Sequence, residues 1–232
     1  MKETTDFLYP FIEGDETDAT GLLVDLATSA EEKWAVSTEL KVVTLARVED
    51  QLRLIAGLMA ERFAAGGRMF AFGNGGSATD ADGIAQLYTR PPSGKALPAR
   101  SLVEDRAVIT ALGNDVGYDK VFSRQIIAHA RAGDIAIGYS TSGNSENLLV
   151  AFAEARKRGL LTIGMAGIDG GRMAVEPNVQ HCVVVLSQSV HRVQETQASA
   201  THLLIAQRVF VAAVEVDHHH VAVVSGFVGF GI

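Results

Sequence analysis

The stretch Asp134-Ile135-Ala136-Ile137-Gly138-Tyr139-Ser140-Thr141-Ser142-Gly143-Asn144-Ser145-Glu146-Asn147 changes character twice within a few residues. Its first part, Asp134 to Gly138, is an apolar run that reads as a buried strand, and the segment that follows, Leu148 to Arg158, reads as an amphipathic helix. A strand that ends in hydroxyl residues and opens a helix makes an anion site. The first N–H groups of a helix lack intrahelical partners, and the helix dipole favours negative charge there. The hydroxyls of Ser140, Thr141, Ser142 and Ser145 add donors without adding charge, and Gly143 lets the backbone come close. An ordinary N-cap needs one hydroxyl. This turn has four within six residues, so the natural guest is a phosphate monoester.

Outward from this turn the pattern repeats. Short apolar strands are expected over Met69–Phe72, Ala99–Val103, Ile135–Tyr139, Leu160–Met165 and Cys182–Leu186. Helices are expected over residues 77–88, 105–112, 119–130, 145–158 and 190–213. Continuous apolar strands separated by helices indicate a parallel sheet covered on both faces. Right-handed crossovers then place every strand's C-terminal end on one edge, where such sheets bind ligands. Loops are read at Arg90-Pro91-Pro92-Ser93-Gly94-Lys95 and Gly167-Ile168-Asp169-Gly170-Gly171.

Before the sheet, residues 1–28 read as an arm, with Phe7, Tyr9, Pro10 and Phe11 placed to dock on a partner subunit and a short helix over Leu22–Leu26. Ser29-Ala30-Glu31-Glu32 reads as a capping box opening a long helical region that Gly66-Gly67 stops. Its apolar face, from Trp34 to Phe63, is larger than one small sheet can cover, which points to helix pairing between subunits. Residues 29–215 form the main domain on this reading. Residues 216–232 are a tail, in which His218-His219-His220 precedes an apolar, glycine-bearing end. Three adjacent histidines point in different directions and do not converge on a metal, so they read as a surface turn.

The composition narrows the class. The chain has 232 residues, 47% of them hydrophobic and 20% charged, which suits one soluble domain with appendages. A net charge of -7 argues against nucleic acid and against an anionic membrane as partners. No apolar run reaches membrane-spanning length. The lone cysteine, Cys182, lies in a buried-strand pattern and reads as core. A single cysteine fits a reducing compartment. The first residues carry acids where an export leader would carry bases. The expectation is a cytoplasmic protein.

A second glycine turn ends the first strand: Phe72-Gly73-Asn74-Gly75-Gly76-Ser77-Ala78-Thr79-Asp80-Ala81. It lacks the third glycine of a dinucleotide fingerprint. Gly113-Asn114-Asp115 adds polar groups just after the second strand's helix. These stretches, with Phe122-Ser123-Arg124, Ser140–Ser145, Gly167–Gly171 and Arg192-Val193-Gln194-Glu195, resemble the sugar isomerase (SIS) domain family, and within it the phosphoheptose isomerases, over about residues 45–213.

The resemblance implies a three-layer α/β sandwich around a five-stranded, flavodoxin-like parallel sheet, preceded by long N-terminal helices. It also implies a homotetramer with active sites shared between subunits, and a ketose phosphate substrate such as sedoheptulose 7-phosphate. By position, Ser77, Ser140, Ser142 and Ser145 would hold the phosphate, with Thr141 also substrate-binding and Asn74, Gly75, Gly76, Asn114 and Asp115 along the sugar. Gln194 and His202 fall where the family places substrate or metal ligands, and His202 would be the catalytic acid. Read without the family, His202 is a core histidine.

One departure stands out. Isomerases of this family carry a histidine and, four residues later, a glutamate on the helix after the glycine turn, and those places hold Gly83 and Leu87. Zinc is the one cofactor the resemblance raises, and with only Gln194 and His202 its site is weak and incomplete. The expectation is a sugar-phosphate-binding protein with reduced or lost isomerase activity. The alternative is an active phosphoheptose isomerase.

Overall fold

The computed structural model describes residues 19–215, with side chains over residues 20–206. The aromatic arm residues Phe7 to Phe11 and the stretch from His218 onward lie outside the described residues.

Five strands, β1 (Met69–Gly73), β2 (Ala99–Ser101), β3 (Ile135–Ser140), β4 (Leu161–Gly167) and β5 (His181–Val185), form one sheet in the order β2-β1-β3-β4-β5. Every neighbouring pair is parallel, with Met69 opposite Ile135 and Ile135 opposite Leu161. This is the flavodoxin-like winding, reversed between β1 and β3, and the carboxyl ends there form the edge crevice of such sheets. β1, β3 and β4 are buried on both faces, which is why they read as continuous apolar runs rather than alternating ones.

Alternation along the strands sorts the core into two. Met69, Ala71, Ile135, Ile137, Tyr139, Ile163 and Met165 pack with Leu52, Ile55, Met59, Ile84 and Leu204. Those partners come from α1 (Ala19–Ala64), α2 (Gly76–Thr89) and α6 (Val190–Glu215). Phe70, Phe72, Ala136 and Ala166 face the other way, onto Phe122, Ile126, Leu148 and Phe152. These belong to α4 (Val121–His129) and α5 (Glu146–Lys157), with α3 (Arg106–Asp115) beside α4. Phe72 stands 5.1 Å from Phe152 and 5.4 Å from Phe122, ring centre to ring centre.

The sheet's base is fixed by one buried acid. Asp134 accepts from the backbone N–H of Arg68 at 2.8 Å and of Arg131 at 2.9 Å, and its carboxylate pairs with the Arg68 guanidinium at 3.0 Å. The chain thus enters β1 and β3 at the same level.

One helix, α1, runs unbroken over 46 residues, so the short helix over Leu22–Leu26 and the start at Ser29 are replaced by a single element. No glycine or proline interrupts residues 22–56. Thr28 bonds back to the Val24 carbonyl at 3.0 Å, so its hydroxyl is spent inside the helix rather than on a cap. At about 1.5 Å per residue α1 is about 70 Å long, more than twice what the sheet can cover. Its second half packs through Val48, Leu52, Ile55 and Met59, whereas Leu23, Val24, Leu26, Trp34, Val36 and Val43 stand exposed on the protomer. Among the described residues no helix is long and apolar enough to cross a membrane.

Candidate functional site

The turn after β3 is built to leave a helix end open. Ser145 precedes α5 at the N-cap position, yet its hydroxyl makes no capping bond. It lies 3.3 Å from the Ser140 hydroxyl instead. Ser140, itself buried, accepts from Gly143 N–H at 3.1 Å, and Ser142 accepts from Asn144 N–H at 3.2 Å. The hydroxyls therefore shape the loop and leave the start of α5 without a side-chain cap. That arrangement suits an incoming anion.

The loop after β4 holds this turn from outside. Arg172 N–H donates to Asn144 Oδ1 at 3.0 Å, Met173 N–H donates to the Gly143 carbonyl at 2.9 Å, and Arg172 pairs with Glu146 at 2.6 Å. The two loops touch so closely that a Cβ on Gly143 would stand 1.9 Å from the Gly170 carbonyl oxygen, and Gly143 also has φ +66°. Ile168, in the same outer loop, holds φ 58°, a strained value for a branched residue.

The glycine turn after β1 lies alongside. The amides of Asn74 and Asn147 form a reciprocal pair, each donating to the other at 2.9 Å, and Tyr118 donates its hydroxyl to Asn74 Oδ1 at 3.1 Å. Asn147, in the first turn of α5, thereby joins the two turns. A cavity of about 300 Å³ opens beside them, walled by Asn74, Gly75, Arg106, Thr110, Tyr118 and Phe122. Ser77 is buried at the start of α2.

From α6, Gln194 reaches this turn directly. A Cβ on Gly76 would lie 2.1 Å from Gln194 Nε2. Beside that amide is the Asp80 carboxyl, pushed up to about 6 by burial while Gln194 works the other way. Behind it, Tyr139 shares a hydrogen bond of 2.9 Å with Thr201, and its phenol is raised by burial, with Asp80 contributing.

Other sequence expectations fall differently. Asn114 and Asp115 sit in the last turn of α3, not after it, and both are exposed. Asn114 donates to Asp115 at 2.6 Å. His202 is exposed on α6 rather than in the core, with Nδ1 2.9 Å from the Ala198 carbonyl. Gly83 opens onto free space, with nothing within 4 Å of where a Cβ would stand. Cys182 is mostly buried, and its thiol is pushed up to about 12 by that burial.

As a zinc site this set does not fit. Among the described residues no three His, Cys, Asp or Glu side chains come together as a metal-holding group. Gly83 has no donor, Leu87 has no donor atom for a metal, and the Gln194 amide is pressed on Gly76.

Asp80, Asn147 and Tyr118 are the parts sequence reasoning missed. Asp80 and Asn147 stood inside the motifs already singled out, but their partners are distant in the chain, and nothing local marks them.

The known proteins this chain resembles agree with that architecture. A family model described as the SIS domain matches residues 35–167. The chain belongs to the SIS domain family. Phosphoheptose isomerase of Paramagnetospirillum magneticum is 41% identical over 191 residues, spanning 81% of this chain and 97% of that one. The enzyme of the same description from Citrifermentans bemidjiense is 35% identical over 82% of this chain and 98% of that one. The structure of phosphoheptose isomerase from Neisseria gonorrhoeae superposes with a TM-score of 0.75 at 33% identity, covering 80% of this chain and 99% of that chain. This SIS-domain chain is therefore phosphoheptose isomerase-like in sequence and fold.

Proposed function

We propose that this SIS-domain protein binds a phosphorylated ketose, of the sedoheptulose 7-phosphate kind, with its phosphate at the Ser140–Ser145 turn, and that it isomerises that sugar slowly or not at all. The observation that carries the binding half is the start of α5, where the Ser140 and Ser145 hydroxyls stand together, Ser142 lies in the same turn, and no side chain caps the helix. Its dipole and free N–H groups favour a phosphate there. Ser77 adds a hydroxyl to the phosphate, and the Asn74 turn and Gln194 supply polar groups along the sugar.

The catalytic half of the reading rests on Gly83 and Leu87. Moving a proton between C1 and C2 needs a base within hydrogen-bond reach, and neither residue can be one. Loss of a positioned base removes a factor of about 10²–10⁴ in rate. In this reading the chain serves as a sugar-phosphate sensor or assembly factor. It works in the cytoplasm as a homotetramer, paired through the exposed apolar residues of α1.

A second reading, an active phosphoheptose isomerase, is favoured by the 41% identity to a relative so described. Assaying sedoheptulose 7-phosphate turnover with and without added zinc separates the two, alongside the Gly83→His/Leu87→Glu variant. Turnover in the usual enzyme range of about 1–10³ per second by the unaltered protein would overturn the first reading. Negligible turnover, with activity gained by the variant, supports it.

A further inference from the structure

One carboxylate on the inner side of α2 has no role in the reading above. Asp80 shares a stripe of α2 with Gly83 and Leu87, at helical separations of three and seven residues. Its Oδ2 is closed off from solvent and has no hydrogen-bond partner, a condition that calls for an explanation in a native protein. One turn before it on the same helix, at Gly76, stands the side-chain amide of Gln194, with Nε2 nearer than Oε1 to α2, and that amide acts on the Asp80 carboxyl. That amide arrives from α6 across the glycine turn, against Gly76, where any side chain would collide with it. Gly76 is thus the window through which α6 meets α2. Tyr139 and Thr201 close the cluster from behind by bonding to each other.

A carboxylate only accepts hydrogen bonds, whereas a glutamine amide donates from one end and accepts at the other. Beside Asp80 the amide must turn its NH2 inward. Its carbonyl oxygen is then the end left for a ligand. We infer that Asp80 is a positioning residue that fixes the Gln194 amide in this sense, so that Gln194 serves a ligand hydroxyl as an acceptor. The ligand group selected is a sugar hydroxyl rather than a carbonyl, since two facing carbonyl oxygens would repel. This rests on the sugar-phosphate reading for the ligand, but the orientation of the amide belongs to the free protein.

Two measurements separate these parts. Glutamine-selective ¹⁵N labelling of the free protein reads the amide itself. In the unaltered protein the Gln194 NH2 should be shifted and protected, and in Asp80→Asn its exchange should be about tenfold faster or more, as loss of the carboxylate facing that amide implies. Identical resonances and exchange in the variant overturn the positioning role.

Calorimetry then compares sedoheptulose 7-phosphate with inorganic phosphate. Asp80→Asn should weaken the sugar phosphate by about 5–10-fold, the worth of roughly one hydrogen bond, and leave inorganic phosphate unchanged. Asp80→Asn/Gln194→Glu exchanges donor and acceptor while keeping an acceptor toward the ligand, and should regain most of the loss. Equal weakening of both ligands, or no rescue, means that Asp80 merely supports the fold and overturns the inference. If the unaltered protein binds no sugar phosphate, the proposed function fails, and the amide resonances still decide the role of Asp80.

Discussion

Ser142 and Ser145 occupy one turn but are used differently in the free protein. Ser142 accepts from Asn144 N–H, whereas Ser145 stands at the head of α5 without capping it and leans toward Ser140. Both can donate to a phosphate by rotating a hydroxyl, with little movement of the backbone. Replacing both with Ala should weaken sugar-phosphate binding by roughly 1–3 kcal/mol in total, because the lost bonds run to a charged group. Titration calorimetry checks this, and an unchanged affinity would remove the phosphate from this turn. Cys182 offers a second test on the scale of single side chains. A free thiol titrates near 8.5, and this one is pushed up to about 12 by burial, so at pH 8 almost none of it is thiolate. Alkylation by iodoacetamide at pH 8 should be at least about tenfold slower in the folded protein than in urea. Equal rates would place the thiol at the surface.

Among the described side chains, those of α1 carry the most unspent apolar surface. Trp34 is 73% exposed and Val43 58% exposed on the protomer. Surface of this kind is normally covered by another chain in a closed, symmetric oligomer. Trp34→Glu/Val43→Glu keeps two helix-compatible residues in place while making the face acidic. Light scattering of the unaltered protein should give about four times the chain mass, and the variant should fall to a smaller species. A variant that keeps the full mass would put the contact elsewhere. The strands were legible in the sequence to within a residue or two, because β1, β3 and β4 are buried on both faces and nothing polar blurs them. The start of α1 was not. Ser29-Ala30-Glu31-Glu32 has the composition of a capping box, yet the preceding residues are themselves good helix formers and Thr28 bonds inside the helix, so the chain has no reason to stop. Asn114-Asp115 misled in a related way. Turn-forming side chains close α3 by bonding to each other from within its last turn.

For the whole molecule, the site was half readable. The hydroxyl turn and the glycine turn are continuous in sequence, and their chemistry is local. The approach of Gln194 to Gly76 and Asp80 crosses more than a hundred residues and depends on how α6 packs on α2, which no spacing reveals. A ligand that binds only the folded state stabilises it by about 2.7 kcal/mol at a hundred times its Kd. For a protein of this size that corresponds to a rise in Tm of about 5–10 °C. Calorimetric melting with sedoheptulose 7-phosphate should show such a rise, and sugars without the phosphate should show little. No shift at saturating concentration would exclude this ligand. The length of α1 has one more consequence. From Leu23 to Val36 nearly every residue is exposed, and the first buried side chain of the helix is Ser37, tied to Glu195 of α6. A helix segment of that length is marginal in water without tertiary contacts. Backbone amides along α1 therefore sit on a gradient of opening free energy, shallow before Ser37 and approaching that of global unfolding by Leu52 and Ile55. On the protomer alone, fraying would start at the exposed end and run toward the sheet, and anything that docks on the first turns of α1 would decide how far it goes.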